Sequence, residues 1–246
     1  MELVLLTAIG VGGATVVGSL VGFLFKNVSR RLSSIILAFA SGIMLAASIL
    51  SLILPSIDYG GSLGIVYSTL GIFLGSLTIS LLDKIVPLFH QRSTNISNPE
   101  RVDRVLLFVL AIAIHNFPEG VAAGVGFGSG STRDALMIAA GIALQNLPEG
   151  MVVISPMVAA GIPRVKALLI GVLTGVIEVV GTLIGYFAVS VAQAFLPLAL
   201  SFAGGAMLFV ICNEIIPETH SDGNESASTY SLIFGFCTML VLNFYL

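Results

Sequence analysis

The sequence predicts an all-α, polytopic membrane protein: one domain over residues 1–246, with eight transmembrane helices and both termini extracytoplasmic. Three observations carry this prediction. Of the 246 residues, 57% are hydrophobic and only 9% charged, with a mean hydropathy of +1.07, whereas a soluble domain carries about 25% charged residues. The apolar residues fall into eight runs, each close to the ~20 residues a helix needs to cross a bilayer. The basic residues between the runs gather on one side.

The runs are 3–25, 34–54, 63–82, 105–126, 135–158, 167–190, 195–216 and 230–246. The first begins apolar at Leu3, with no basic stretch and no small-residue cleavage site, and reads as a span rather than a signal peptide. Between the third and fourth runs, residues 83–104 are polar and read as a cytoplasmic loop. Lys26, Arg30 and Arg31 lie in the first connection. Lys84, Arg92, Arg101 and Arg104 lie in the third, and Arg164 and Lys166 in the fifth. Eight spans put these three connections on one side, which is then cytoplasmic, and leave Arg133 alone on the other. The protein is expected in the cell (inner or plasma) membrane as a multi-pass chain.

Other classes are excluded by what the chain lacks. A net charge of −3 argues for no nucleic-acid partner. Cys212 and Cys237 stand in separate apolar runs, form no CxxC, and read as small packing residues. There is no P-loop for ATP.

Two hexapeptides interrupt the apolar pattern: His115-Asn-Phe-Pro-Glu-Gly120 in the fourth run and Gln145-Asn-Leu-Pro-Glu-Gly150 in the fifth. An ionisable residue at that depth costs ~2.5–3.5 kcal/mol even on lenient insertion scales and marks a functional site by default. The shared N-x-P-E-G core joins two spans that run in opposite directions. Ala40-x-Gly42-x-Met44-Leu45 and Ala203-x-Gly205-x-Met207-Leu208 form a weaker pair in the second and seventh runs, each followed by a proline, Pro55 or Pro217. Similar sequence in opposite directions is the mark of an inverted repeat, as in many secondary transporters.

Depth and facing then define the candidate site. His115, Gln145, Glu178 and Met44 all fall near the middle of their runs. His115 and Glu119 share a helical face at i and i+4, Asn116 and Glu119 nearly so, and Gln145, Asn146 and Glu149 repeat the spacing. Pro118 and Pro148 are expected to kink their helices and free the carbonyls of Ile114 and Leu144. Carboxylates buried together cannot all stay ionised without a cation. Imidazole with carboxylate and amide oxygens, and no thiolate, suits zinc, ferrous iron, manganese and similar divalent ions. One cluster would use His115, Glu119, Gln145 and Glu149, and a second Asn116, Glu119, Asn146, Glu149 and Glu178. Two rivals use the same groups: an intramembrane di-metal enzyme and a proton-coupled solute carrier. HExxH is absent, and so is a pair of Glu-x-x-His motifs.

The paired hexapeptides resemble the fourth and fifth spans of the ZIP (Zrt/Irt-like protein) metal-ion transporters, prokaryotic branch. The resemblance covers the whole chain, including Glu178 within Thr174-Gly-Val-Ile-Glu-Val-Val-Gly181 and Glu214-Ile-Ile-Pro-Glu-Thr-His220. It implies uptake of a divalent metal, Zn2+ first with Fe2+, Mn2+ and Cd2+ as alternatives, toward the cytoplasm through a binuclear midplane site. By that resemblance Met44 and Ser51 join the primary cluster, and Asp83 and Glu214 form an exit site. Gln145 stands where many members have His, and Asn146 where some have Asp; the first is a weaker neutral ligand, and the second removes a charge. The expected partners are divalent metal ions and the lipid bilayer. The Gly171-x-x-x-Gly175 run permits close helix packing, of which a homodimer is one use.

Overall fold

The computed structural model describes residues 1–25, 29–91, 116–159, 162–191, 193–221, 223 and 225–245, and all regular structure among them is helical. We number the helices α1 (Glu2–Leu24), α2 (Arg30–Ala47), α3 (Leu54–Tyr59), α4 (Gly64–Gln91), α5 (116–126), α6 (Thr132–Ala159), α7 (Arg164–Val191), α8 (Leu196–Val210), α9 (Ile216–His220) and α10 (Glu225–Tyr245). Among the described residues seven helical segments are long and apolar enough to cross a membrane. The fourth expected span is described only from Asn116 onward.

Two spans exceed the sequence expectation because they continue through a widened turn. A π-helical stretch, Ser48–Ile53, joins α2 to α3, and a second, Ile211–Ile215, joins α8 to α9. The cause is proline in the first turn of the following helix. The rings of Pro55 and Pro217 would clash with the carbonyls of Ser51 and Asn213, four residues back, and offer no N–H in return. Widening the turn relieves both problems. The result is two continuous spans, Arg30–Tyr59 and Leu196–His220. α4 likewise runs past residue 82 to Gln91, so the expected 83–104 loop begins as helix. Pro148 does not interrupt α6, which stays helical from Thr132 to Ala159.

Helix ends follow ordinary capping chemistry. Ser29 caps α2 by accepting the Leu32 N–H at 3.2 Å. At the other end of α1, the Arg164 guanidinium donates to the carbonyls of Phe23 and Phe25 and lies over the Phe23 ring, 5.1 Å from its centroid. A cation at the C-terminal end of a helix opposes the negative pole of its dipole.

Packing is organised by glycines, and it displays the inverted repeat in three dimensions. α1 packs on α6 and α7, α2 on α10 and α6, and α4 on α8. A Cβ on Gly18 or Gly22 of α1 would strike the carbonyl of Leu147 or Met151 of α6. In the same way, a Cβ on Gly181 or Gly185 of α7 would strike the carbonyl of Phe117 or Val121 of α5. Gly150 presses on the Thr15 carbonyl and Gly120 on that of Glu178. Gly12 and Gly175 press on each other's carbonyls where α1 crosses α7. The outer helices match as well: Gly42 meets Leu232 and Gly235 meets Phe39, while Gly205 meets Ile72 and Gly75 meets Phe202. Thus α1 and α2 correspond to α7 and α8, α5 to α6, and α4 to α10.

This packing assigns Gly171 and Gly175 to the contact with α1, where they face Ser19 and Gly12. The small-residue run is therefore occupied within the chain and gives no surface for a second copy. Cys212 and Cys237 are free and exposed, not packed in the core as expected.

Candidate functional site

Asn116, Glu119, Gln145, Asn146, Glu149 and Glu178 are all buried, with Gln145 and Glu178 at 0% exposure. Six polar side chains at that depth need partners, since an unpaired buried polar group costs several kcal/mol in hydrocarbon (~2–7). The partners of five of them, Asn116, Asn146, Glu178, Glu119 and Gln145, fall into two groups.

The first group is centred on Glu178 of α7. Thr15 Oγ1 of α1 donates to Glu178 Oε1 at 2.6 Å. Asn116 Nδ2 of α5 donates to the same oxygen, and Asn146 Nδ2 of α6 donates to Oε2 at 2.6 Å. Four helices therefore converge on one carboxylate. The Glu178 backbone carbonyl accepts from Thr182 at 2.9 Å. Asn146 Nδ2 also lies 3.5 Å from the carbonyl of Val11.

The second group links α5 to α6 directly. Gln145 Nε2 donates to Glu119 Oε1 at 2.7 Å. Met44 borders the same place: a small gap is lined by Met44, Pro118, Glu119, Met207 and Val210. Met207 is the counterpart of Met44 in the repeat, so each half lines this gap beside Glu119 with a methionine. Glu149 is buried on α6.

The acceptor side of these groups is unbalanced. Asn116 Oδ1, Glu119 Oε2, Gln145 Oε1 and Asn146 Oδ1 are buried and have no hydrogen-bond donor among the described residues. In each amide the nitrogen is turned to a carboxylate, so the oxygen points away from it. A buried oxygen without a donor is costly, and four of them in the two hexapeptides suit a cation. Among the described residues no three His, Cys, Asp or Glu side chains group closely enough to hold a metal by themselves. An ion at this level would draw on amide oxygens. His115 lies outside the described residues.

The remaining expected site residues lie elsewhere. Ser51 is in the first π-helical stretch, seven residues from Met44, or about 10 Å along a helix at ~1.5 Å per residue. Its hydroxyl accepts from Asn243 Nδ2 of α10 at 3.3 Å. Glu214 is half-buried in the second π-helical stretch, opposite in the repeat to Ser51. Asp83 is on α4, and its side chain lies outside what the structure describes. Three participants were not among the expected site residues: Thr15 and Asn243, which had no signal in the sequence, and Met207. For Met207 a signal existed, since it aligns with Met44 in the repeated Ala-x-Gly-x-Met-Leu.

Comparison with known proteins places this geometry in a family. The profile described as ZIP Zinc transporter matches residues 99–243. The zinc transporter ZIPB of Bordetella bronchiseptica is 40% identical, over 94% of this chain and 77% of that protein. The zinc transporter GufA of Myxococcus xanthus is 35% identical, over 94% of each. The zinc transporter ZIP11 of Xenopus tropicalis is 32% identical, over 94% of this chain and 93% of that one. A match of this extent, over a range that includes both hexapeptides, has one reading: the chain belongs to the ZIP family, whose members are membrane transporters and not enzymes.

Proposed function

We propose that this protein carries a divalent metal cation, zinc first, into the cytoplasm through a midplane site between α5 and α6. The observation that carries the reading is the set of four buried oxygens, on Asn116, Glu119, Gln145 and Asn146, without donors among the described residues. Relatives named zinc transporters support zinc as the cargo. In this reading the chain has eight spans, with both termini outside the inner or plasma membrane.

The primary cluster is His115, Glu119, Gln145 and Glu149, with Met44 alongside. Carboxylate supplies the charge that draws the ion out of water, and imidazole supplies a nitrogen ligand suited to zinc. Asn116, Asn146 and Glu178, with Glu119 and Glu149, form a second cluster beside it. Here Glu178 brings the negative charge, and the two amides bring oxygens once they turn. Ser51 stands on the outward path and Glu214 with Asp83 on the inward one. Alternating exposure of the site follows from the repeat: each half presents an equivalent path, and closing one opens the other.

The test is metal content and radioactive zinc flux in proteoliposomes, comparing wild type with Glu119→Ala and His115→Ala. Zinc that co-purifies with wild type, and flux lost in both variants, supports the site. A wild type that holds and moves no metal assigns the carboxylates to protons or to structure. Competition by Fe2+, Mn2+ and Cd2+ then ranks the cargo.

A further inference from the structure

We propose that the cleft between the N-terminal ends of α1 and α6 binds one anionic phospholipid, its acyl chain between the helices and its phosphate on Arg133. The two helices are tightly joined in the stretch that holds Gly18, Gly22 and Gly150. Toward their N-terminal ends they part. Added Cβ atoms on Gly10 and Gly13 would meet nothing within 4 Å. The parting leaves a cleft of about 560 Å³, bordered by Leu6, Gly10 and Val11 of α1 and by Met137 and Ala143 of α6, with Arg133 at its rim. Sites for small organic ligands run from ~300 to 1,000 Å³.

Three features select a lipid as the occupant. Among the lining residues only Thr7 and Arg133 have polar side chains, so the cleft favours hydrocarbon. Its rim residues Leu6 and Leu136 are 66% and 42% exposed, so in a membrane the cleft opens to the bilayer. Arg133 is exposed and has no hydrogen bond or ion pair among the described residues. It sits one residue inside the start of α6, the end of a segment long and apolar enough to cross a membrane, and the ends of such segments meet the headgroups. A guanidinium there is matched by a phosphate, which it can hold through two parallel hydrogen bonds. The occupant would touch the back of the polar core, because Val11 lines the cleft and its carbonyl lies 3.5 Å from Asn146 Nδ2. This site stands independently of the metal reading.

The experiment uses the full chain, purified from membranes in mild detergent, with bound phospholipid counted by native mass spectrometry. Gly10→Leu fills the cleft without a backbone clash, and Arg133→Gln removes the charge. Each variant is checked for unchanged thermal unfolding, and each is then exchanged into nanodiscs of phosphatidylcholine with one-fifth phosphatidylglycerol. Wild type should retain one phosphatidylglycerol per chain. Arg133→Gln should weaken its retention by about tenfold, as expected for losing a charge-assisted contact, and Gly10→Leu should abolish it. Equal retention in Gly10→Leu, no preference for the anionic lipid, or a second copy of the chain in place of lipid would each overturn the proposal.

Discussion

Thr15 Oγ1 donates to Glu178 Oε1 at 2.6 Å, and these two residues are each other's counterparts in the inverted repeat. They stand 163 positions apart, as do Gly12 and Gly175, Gly18 and Gly181, Gly22 and Gly185, and Met44 and Met207. The pair meets beside the crossing of α1 and α7, where Gly12 and Gly175 bring the two backbones together. One half of the repeat contributes a carboxylate and the other a hydroxyl. A symmetric pair of carboxylates would repel here; a threonine in one of the two places turns the contact into a hydrogen bond.

Thr15→Val should therefore weaken the site without removing a proposed ligand. A hydrogen bond to a charged group contributes about 1.5–3 kcal/mol. The variant should lose a comparable amount of thermal stability and several-fold in zinc flux, while Thr15→Ser recovers both. Flux in proteoliposomes and thermal unfolding in detergent read the two effects. Equal flux in all three proteins would leave Thr15 as packing only.

Asn146→Asp replaces a donor to Glu178 with a second negative charge. Without metal the variant should be less stable by about 1–3 kcal/mol, since Glu178 loses a partner and gains a repulsion. With zinc the order should reverse, because an added carboxylate binds a cation more strongly than an amide does. Unfolding temperatures in chelator and in zinc, together with metal per chain, decide the point. A variant equally destabilised in both conditions would exclude an ion beside Glu178.

Met44 and Met207, counterparts in the repeat, line the same small gap as Glu119. Thioether is a soft ligand and favours soft ions. Met44→Ala should lower cadmium flux more than zinc flux, by several-fold in the ratio. If Met44 only fills space, both fluxes fall together. Met207→Ala in the same assay shows whether the second thioether counts.

The glycines make a sharper structural prediction. Gly18→Ala puts a methyl onto the Leu147 carbonyl, which is backbone and cannot step aside, whereas Gly13→Ala meets nothing. Overpacking typically costs about 1–3 kcal/mol and sometimes more. Gly18→Ala should lower the unfolding temperature and the folded yield, and Gly13→Ala should match wild type. Fluorescence-detected size-exclusion after a heating series separates them.

Much of this molecule is legible in one dimension because a bilayer makes polarity expensive. Runs of ~20 apolar residues mark spans, and the hexapeptides stand out because His, Glu and Pro are costly there. Read as amino acids alone, the chain shows its all-helical membrane class, the duplicated motif, the depth of Asn116, Glu119, Gln145, Asn146, Glu149 and Glu178, and the family. It could not single out Thr15 or Asn243. A threonine in an apolar helix ordinarily bonds to its own backbone, and only the crossing of α1 and α7 sets this one against a carboxylate. Nor could it say what the glycines were for. Gly171 and Gly175 suit a dimer or an internal contact equally well, until the fold places α1 against them. The partners of each buried polar atom were likewise decided by tertiary structure alone. Hydrogen bonds between helices depend on which faces meet, and a sequence fixes the face of each helix but not its neighbour.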